Sequence, residues 1–417
     1  MFDTGRPVAL PAPSPGPPPS LSVLSSPVPS RLRRAAHRWL RSDHWAGKLV
    51  EEGLIPDWLS LPPLINRGDS LLSCRSSPDQ MQNEIHALLA SGAVRLTNSS
   101  DLKGPGVISR VFPVPKKDSR VRLVINLRTI NPFVPQIHFK MEGLRTVRAL
   151  LRPNDFMVKI DLEDAFHHIP IHPEAQPYFR FQWGSQVLQW QCMPFGYRDA
   201  PRIFSRLMRV IAKEARNRGL RLVVYMDDIL IMSSSAEQSV KDRDLFLNSL
   251  LEFGFTISQK KCVLTPSQSM GFLGVVVDSL TMTLSLPKEK MDRLVARAKR
   301  MRLRAQAGKK TSVRSLQKLI GHLQAVSDCV LPTQLRSNTL REALRLAEHK
   351  ASTLLSEVAQ SDLLWWEAHL PSWNGKSLRD TPPEHQFDTD ASEKGWGAVY
   401  FPPSGRRVEC QGFFTKN

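Results

Sequence analysis

The fold of this chain is decided by Leu222-Val223-Val224-Tyr225-Met226-Asp227-Asp228-Ile229-Leu230-Ile231-Met232. Each apolar half predicts a buried β-strand, and the two aspartates fall at the turn between the strands. Two adjacent carboxylates between apolar strands are costly to bury unless a cation neutralises them. The stretch therefore favours a strand–turn–strand unit with a divalent metal ion at its turn.

The alternative interpretation is ordinary turn chemistry, because aspartate is common in turns. A third carboxylate argues against it. Residues 156–160 have the pattern of another strand, and that strand ends at Asp161. Three aspartates that converge at strand ends can hold two metal ions, as sites of nucleotidyl transfer do.

At this point the chain resembles a known family, the reverse transcriptases. Asp161-Leu162-Glu163-Asp164-Ala165-Phe166 resembles their first catalytic motif, and Tyr225-Met226-Asp227-Asp228 resembles their YxDD motif. Residues 193–201, with Met193-Pro194-Phe195-Gly196 at their start, resemble the LPFG…AP segment of retrotransposon enzymes. The other motifs of the family are matched in its order by residues 115–118, residues 122–131, Gly254-Phe255, Lys260-Lys261-Cys262 and Phe272-Leu273-Gly274.

The resemblance implies an α+β right-hand polymerase fold, with fingers, a palm built on an antiparallel sheet, and a helical thumb. A truncated ribonuclease H-like α/β segment is expected to follow. The predicted parts are a largely disordered, basic, Pro/Ser-rich leader (1–78), fingers and palm (79–286), a basic helical thumb (287–350), a connection (351–385) and a ribonuclease H start (386–417). The local patterns predict helices over 81–89, 144–151, 202–218 and 245–253, and strands over 107–114 and 121–127.

The charge of the chain predicts a polyanionic partner. The net charge is +18 over 417 residues, and residues 287–350 hold 16 Lys or Arg against 5 Asp or Glu. An excess of this density suits binding to a phosphate backbone, although a solvated helical surface is the alternative. Three tryptophans that follow, Trp365, Trp366 and Trp373, favour packing in a small connecting domain over base stacking.

Several classes of protein are disfavoured by the sequence. No apolar run is long enough to span a bilayer, and no secretory signal is present, so an intracellular location in the nucleus or the cytoplasm is expected. The five cysteines are widely spaced without a CxxC pair, which argues against zinc and for a reducing compartment. Arg31-Leu32-Arg33-Arg34 is a basic cluster that fits either a nucleic-acid or nuclear signal or an ordinary polar helix.

The resemblance implies a role for each motif residue. Asp161 and Asp227 would ligate two Mg²⁺ ions, with Mn²⁺ as the alternative metal, while Asp228 supports the site and the Leu162 carbonyl completes one coordination sphere. Phe166 would be the steric gate that selects deoxynucleotides. The other implied nucleotide-binding residues are Lys116 or Lys117, Arg122, Phe195, Gly196, Tyr225, Met226 and Lys261. The implied primer and template contacts are Ala200, Pro201, Phe272, Leu273 and Gly274.

The end of the chain resembles a second family. Residues 387–392 and 395–400 resemble the first strand pair of ribonuclease H, in which Asp390 would be the first metal ligand. Only 27 residues follow Asp390, and Glu393 and Glu409 lie on the same predicted hairpin. The sequence therefore predicts a truncated ribonuclease H start without nuclease activity.

The predicted function is that of an RNA-directed DNA polymerase of a retroelement. Its partners would be an RNA template, a DNA primer or RNA/DNA hybrid, and deoxynucleoside triphosphates. Phe195, which stands where retroviral enzymes carry a polar residue, points to the retrotransposon side. Residues 124–128, which include Asn126 where many relatives carry Asp, together with residues 395–398 most resemble DIRS-type elements, within a DIRS-type or gypsy-like retroelement assignment. The alternative function is a catalytically inactive nucleic-acid-binding remnant. An RNA-directed RNA polymerase is disfavoured by Phe166 and by the ribonuclease H start.

Overall fold

The structure is a computed structural model, and it describes residues 27–63, 65–66, 78–98, 102, 106–115, 121–379, 385–403 and 405–414. The chain divides into two compact units, Met1–Leu280 and Thr281–Asn417. Lys116, Lys117, Cys74 and the predicted leader up to residue 26 lie outside the described residues. None of the helices in the described ranges is long and apolar enough to cross a membrane.

The first unit combines helices with antiparallel and mixed sheets. Its helices are α1 (Val28–Arg34), α2 (Ala36–Ser42), α3 (His44–Glu52), α4 (Pro78–Ala90), α5 (Leu144–Leu150), α6 (Ala200–Asn217) and α7 (Ala236–Glu252). Its strands are β1 (Ile65–Asn66), β2 (Val94–Leu96), β3 (Val107–Ser109), β4 (Val111–Pro115), β5 (Val121–Ile125), β6 (Phe156–Asp161), β7 (Arg180–Trp183), β8 (Gln186–Trp190), β9 (Arg221–Tyr225), β10 (Asp228–Ser233), β11 (Val263–Ser267), β12 (Ser269–Phe272) and β13 (Val275–Asp278).

The sheet that carries the aspartates has the order β11-β6-β10-β9, and all its neighbouring strands are antiparallel. We call it the palm sheet. Its central strands are buried because β10 is apolar on both faces, with Ile229 to Met232 at no more than 1% exposure. The predicted antiparallel sheet and its strands are therefore confirmed.

A second sheet, of order β1-β3-β7-β8-β2, is mixed: β1 pairs with β3, and β3 with β7, in parallel. Strands β4 and β5 form a separate antiparallel pair. The strand predicted over 107–114 is thus two strands, separated at Arg110, whose carbonyl accepts a hydrogen bond from the Asn126 amide at 2.7 Å. Residues 116–120, between the two predicted strands, lie outside the described residues.

The palm sheet is backed by long amphipathic helices. In α6 the buried side chains include Ile203, Leu207 and Ile211, spaced by four residues as a helix packed on one face requires. The helix predicted over 245–253 is longer than expected, because α7 begins at Ala236 after a Ser235 cap that accepts a hydrogen bond from the Gln238 amide at 3.1 Å. The remaining predicted helices, α4 and α5, are found where the patterns placed them.

The predicted disorder of the leader is wrong for residues 28–52, which form α1, α2 and α3. Leu32 and Trp39 are fully buried in the core of the first unit, and the Trp39 indole donates to the Phe253 carbonyl at 3.0 Å. The basic cluster Arg31-Leu32-Arg33-Arg34 is therefore part of a helix. Its single apolar residue, Leu32, fixes the helix to the core, which the charged neighbours obscure in the sequence.

The second unit is helical in its first half. Its helices are α8 (Lys288–Gln306), α9 (Val313–Gln324), α10 (Asn338–Arg345) and α11 (Glu357–Trp373). Its strands are β14 (Thr283–Ser285), β15 (Thr311–Ser312), β16 (Ser352–Thr353), β17 (Lys376–Ser377), β18 (Gln386–Ala391), β19 (Gly395–Phe401) and β20 (Val408–Phe413). Helix α9 has one apolar stripe, in which Leu316, Leu319 and Leu323 are buried.

One tryptophan of α11, Trp366, packs in the interior as predicted, whereas Trp373 is 45% exposed. Trp366 is fully buried, and its indole donates to the Arg336 carbonyl at 2.7 Å. The last three strands form an antiparallel sheet of order β18-β19-β20. Every residue of β18 in this sheet is exposed.

Candidate active site

The three predicted aspartates meet at one end of the palm sheet. Asp161 is the last residue of β6, and it lies directly opposite Asp228, the first residue of β10. Asp227 and Met226 form the two-residue turn between β9 and β10, since Tyr225 pairs with Asp228. Met226 has a φ of 56°, a left-handed conformation that is uncommon without glycine and costs of order 1 kcal/mol or more. The strained residue of the turn is Met226, and the turn places Asp227 near Asp161.

Burial and mutual repulsion both disfavour the ionised carboxylates at this end of the sheet. Burial raises the pKa of Asp227, and the neighbouring Asp161 and Asp228 carboxylates raise it further. Asp161 itself is only 5% exposed. Carboxylates held together out of water bind a cation to relieve their repulsion.

Two lysines supply positive charge to the aspartates in this structure. The Lys261 ammonium lies 3.0 Å from Asp161 Oδ1, and the Lys159 ammonium lies 2.7 Å from Asp228 Oδ1. Burial opposes the charge on Lys261, but its hydrogen bond to Asp161 prevails, and the pKa of Lys261 is raised. Lys261 was a predicted site residue. Lys159 was missed, although it precedes Asp161 by two residues and so shares a face of β6 with it.

Cys262 lies in the quoted Lys260-Lys261-Cys262 motif, but its contact with Asp161 was not predicted. Its sulfur accepts a hydrogen bond from the Asp161 amide at 3.2 Å, and burial raises the pKa of its thiol. The thiol therefore stays protonated and supports the main chain at Asp161 rather than binding a metal.

The donor set of the site suits magnesium. The three carboxylates offer only oxygen, which is the ligand atom that Mg²⁺ prefers. Across the described ranges, no three side chains of His, Cys, Asp or Glu are already grouped around a metal position. Two of the aspartates are paired with lysines instead. A metal ion would bind these two carboxylates only by replacing their lysine partners. The role predicted for the Leu162 carbonyl stays a prediction; its amide donates to the Asp227 carbonyl at 3.1 Å.

An aromatic cluster lies on the segment that follows Asp161. The Phe166 ring is 5.1 Å from the Phe195 ring and 5.6 Å from the Phe204 ring. The Arg122 guanidinium lies 4.3 Å from the centre of the Phe195 ring, and its Nε is buried with no hydrogen-bond partner among the described residues. Arg122 is also near enough to Lys261 for their charges to interact. Arg122, Phe166 and Phe195 are thus brought together, as one nucleotide-binding surface requires.

The loop before α6 is held in a glycine-dependent conformation. Gly196 has a φ of 111°, and a Cβ at this position would collide with the Ile125 carbonyl oxygen. Its own carbonyl accepts from Asn131 Nδ2 at 3.0 Å. Ala200 and Pro201 are the first residues of α6 and are therefore fixed by the same loop.

The predicted primer contacts lie on a tight hairpin. Strands β12 and β13 are joined by Leu273 and Gly274, with φ values of 48° and 78°. Positive φ at both central residues is the geometry of a type I′ turn. The contact of this hairpin with a primer stays a prediction.

A buried hydrogen-bond network lies beside the segment that follows Asp161. His168 Nε2 accepts a hydrogen bond from the Thr256 amide at 3.1 Å, and the Thr256 carbonyl accepts from the Glu163 amide at 2.9 Å. Arg31 of α1 also donates to the Thr256 hydroxyl. Burial, with the charges of Arg31 and His167, lowers the pKa of His168 to about 4, so His168 is neutral at pH 7. Helix α1 therefore contacts the same segment that follows Asp161.

Asp390 lies apart from this site in the sequence and belongs to the second unit. It is exposed on β18 and lines a pocket of about 530 Å³ with Asp388, Glu409 and Arg407. The assignment of this sheet to ribonuclease H stays a prediction.

Comparison with known proteins places the middle of the chain in a family. Residues 114–277 match the family model described as "Reverse transcriptase (RNA-dependent DNA polymerase)". A genome polyprotein of Petunia vein clearing virus is 27% identical over 301 residues, covering 70% of this chain and 12% of the viral protein. The Transposon Tf2-3 polyprotein of Schizosaccharomyces pombe is 29% identical over 194 residues, 46% of this chain and 14% of that protein. The chain thus spans only a small part of these relatives.

Solved structures agree at the level of the fold. The foamy viral protease-reverse transcriptase in complex with dsDNA matches with a TM-score of 0.64 and 19% identity, covering 94% of this chain and 82% of that one. The same viral protein in complex with an RNA/DNA hybrid matches with a TM-score of 0.59 and covers 92% of this chain and 52% of that one. Residues 114–277, which contain all three aspartates, are therefore a reverse transcriptase domain of the kind found in retroelement polyproteins.

Proposed function

We propose that the chain is an RNA-directed DNA polymerase of a retroelement, which adds deoxynucleotides to a primer by two-metal nucleotidyl transfer. The observation that carries this proposal is the meeting of Asp161, Asp227 and Asp228 at one end of the palm sheet, within a reverse transcriptase domain. Its substrates would be deoxynucleoside triphosphates and a primer paired with an RNA template.

The aspartates prepare the site for two cations. Asp161 and Asp227 would hold the metal ions, with Asp228 beside them. The pKa of Asp227 is raised by burial first and then by repulsion from Asp161 and Asp228, and a cation would relieve that repulsion. When bound, Mg²⁺ would lower the pKa of the primer 3′-hydroxyl and neutralise charge on the triphosphate. Lys261 stands close enough to Asp161 to move to the phosphates once a metal replaces it, and its raised pKa keeps a proton available for the leaving pyrophosphate.

The aromatic cluster supports selection of the sugar. Phe166 packs on Phe195 and Phe204, so its ring has a fixed position beside the catalytic segment. A fixed ring under the sugar would leave no room for a 2′-hydroxyl. Arg122, with its unpartnered buried Nε, would bind the triphosphate together with Lys116 or Lys117.

Finer assignments are also part of this proposal. A DIRS-type origin is supported by residues 124–128 and by residues 395–398 of β19, and Phe195 supports a retrotransposon rather than a retroviral origin. A ribonuclease H relationship for residues 386–413 is supported by the antiparallel order of β18, β19 and β20 and by the shared pocket of Asp390 and Glu409.

Primer extension tests the proposed activity. The full chain is given a poly(rA)/oligo(dT) duplex, Mg²⁺ and dTTP, and wild type is compared with Asp227→Asn, which removes one charge with little change of shape. We expect extension by wild type and a loss of about 10³-fold or more in the variant, since the site depends on electrostatic stabilisation. Duplex affinity should stay the same in both proteins.

The alternative function is a non-catalytic nucleic-acid-binding remnant. Wild-type protein that is folded and binds the duplex in a salt-dependent way, yet extends no primer, would support this alternative and refute the proposed polymerase.

A further inference from the structure

Helices α1 to α3 and the two residues after them form a stretch to which the proposed function assigns no role. We call this stretch, residues 28–54, the N-terminal arm. Its far end is joined to the first unit by main-chain hydrogen bonds: the Leu54 amide donates to the Pro170 carbonyl at 2.8 Å, and the Leu54 carbonyl accepts from the His172 amide at 3.0 Å. The arm therefore contacts the end of the segment that begins at Asp161.

The start of the arm packs on Gly254-Phe255, a palm motif to which the proposed function also assigns no role. Gly254 has a φ of 89°, and a Cβ at this position would lie 2.6 Å from the Arg31 carbonyl oxygen. Phe255 is buried, and its ring lies 6.2 Å from the Trp39 ring. Glycine is thus needed here both for its backbone conformation and for the close approach of α1.

Three side chains of the arm hold the residues around this motif. The Trp39 indole donates to the Phe253 carbonyl at 3.0 Å. The Arg38 guanidinium lies 4.5 Å from the centre of the Phe253 ring, where a cation is attracted to the aromatic face. The Arg31 guanidinium donates to the Thr256 hydroxyl. This stretch is therefore bound directly by α1 and α2.

The same stretch also pairs with the main chain at the end of β6. The Thr256 carbonyl accepts from the Glu163 amide at 2.9 Å, and the Ser258 amide donates to the Asp161 carbonyl at 2.8 Å. Thr256 thus uses its hydroxyl for the arm and its main chain for the residues beyond Asp161. Through Thr256, Arg31 is connected to the main chain two residues past a predicted metal ligand.

Thr256 also reaches the segment that carries Phe166. Because a guanidinium only donates, the Thr256 hydroxyl is the acceptor in its bond with Arg31, and its own hydrogen can point to His168 Nε2 at 3.2 Å. The Thr256 amide donates to the same nitrogen at 3.1 Å. His168 is buried and lies two residues after Phe166. One threonine therefore connects the arm with the end of β6 and with the segment of the proposed steric gate.

Arg31 is half-buried, which distinguishes it from a solvated helix residue. Burial lowers the pKa of Arg31, and attraction to the Glu163 carboxylate opposes this shift. A guanidinium removed from water is costly unless acceptors satisfy it. Arg33, on the same helix, is exposed. Helix α1 thus directs one arginine inward to Thr256 while another remains in solvent.

We propose that the N-terminal arm is a positioning element of the catalytic site, in which Arg31 acts through Thr256 to fix the main chain from Asp161 to His168. The effect on nucleotide addition rests on the proposed function, whereas the fixing of the main chain rests on the fold alone. Small displacements of a catalytic group slow an enzyme strongly, so loss of the Arg31 contact should lower kcat.

Hydrogen exchange of the full chain compares two arginines of α1. Arg31→Gln removes the charged donor to Thr256, and the control Arg33→Gln removes an exposed charge of the same helix. In Arg31→Gln we expect the amides of Glu163 and Ser258 to exchange about tenfold faster, as the loss of a hydrogen bond to a charged group predicts for local opening. Arg33→Gln should match wild type, and the amides of α6 should be unchanged in both variants.

Two results of the exchange measurement would overturn the proposal. Unchanged exchange at Glu163 and Ser258 in Arg31→Gln would show that the arm does not fix these residues. Equally faster exchange at these amides and throughout α6 would show that Arg31 contributes only to the global stability of the first unit. Exchange needs no nucleotide addition, so it decides on the arm even if wild type extends no primer and the polymerase proposal fails.

Gly254→Ala tests the docking of the arm against a matched glycine. Gly219 has the same φ of 89°, but a Cβ there would meet no described atom within 4 Å apart from its chain neighbours. Both substitutions therefore impose similar backbone strain, while Gly254→Ala alone of the two obstructs α1. We expect about tenfold faster exchange of the α1 amides and of Glu163 in Gly254→Ala, and no change in Gly219→Ala. Equal effects of the two variants would contradict the docking.

A double-mutant cycle tests whether Arg31 acts through Thr256. In primer extension, Arg31→Gln should lower kcat about tenfold and change the KM for dTTP by less than about twofold. Arg31→Lys, which keeps a charged donor, should recover part of the loss. Combining Arg31→Gln with Thr256→Val should be no slower than the slower single variant, because both remove the same bond. Losses that multiply in the double variant would show that the two residues act independently and would overturn the proposed connection.

Discussion

The palm sheet and helix α8 treat their charges in opposite ways. In the palm sheet, Asp161 and Asp228 each pair with a lysine of the same chain. On α8, main-chain carbonyls orient Arg300 and Arg304, and no described carboxylate pairs with these two side chains. The comparison teaches that charge is neutralised within the chain at the palm aspartates, whereas part of the charge of α8 is not.

Among variants outside the three aspartates, the largest expected effect comes from Lys261→Met. If Lys261 provides a proton to the leaving group, its loss should slow single-turnover extension about 10²-fold, which is typical of a missing general acid. Lys261→Arg should retain part of the rate, since it keeps a charge near Asp161. Duplex affinity and its salt slope should be unchanged in both variants, because Lys261 is assigned to the nucleotide and not to the duplex; a parallel loss of affinity would contradict this assignment.

Phe166→Ala should have a smaller, more selective effect. Removing the ring opens space beneath the sugar, so the ratio of deoxynucleotide to ribonucleotide kcat/KM should fall about tenfold. Phe166→Leu, which retains an apolar bulk, should lie between this variant and wild type. Unchanged discrimination in Phe166→Ala would show that the gate is assigned to the wrong residue.

The smallest effect is expected for Lys159→Met. Its ammonium lies 2.7 Å from Asp228, so its removal leaves a net negative charge that should tighten divalent-ion binding. The pair is partly exposed, and about a two- to fivefold gain in affinity is expected. Titration with Mn²⁺ followed by electron paramagnetic resonance, without nucleotide, measures this directly. Lys159→Arg should match wild type, and an equal affinity in Lys159→Met would show that the pairing does not restrain the metal site.

The palm could be predicted from sequence because its information is local. The apolar run around Asp227 reveals both strands, and the period of two reveals which residues share a face. Lys159 stands two residues before Asp161 on the same strand. The period of two therefore places both side chains on one face and could have identified Lys159. The partner of Lys159, however, is Asp228 on β10. The ion pair therefore depends on the register between β6 and β10, which cannot be read from one sequence.

The N-terminal helices and the burial of Thr311 depend on contacts that are distant in sequence. Arg31, Arg33 and Arg34 give α1 the composition of a solvated helix, although Leu32 is fully buried. Nothing in the sequence distinguishes Thr311, which is only 2% exposed, from an ordinary loop threonine. Burial of single residues by remote segments leaves no periodic pattern, and for that reason sequence reasoning misses it.

The position of Trp39 has a consequence for biosynthesis. Its indole bonds to the carbonyl of Phe253, which is 214 residues further along the chain. At ordinary rates of translation that interval lasts on the order of 10–40 s. Trp39 is thus synthesised well before Phe253, and it can reach this native contact only after residue 253 has left the ribosome. We expect the nascent chain to need protection from aggregation throughout that interval.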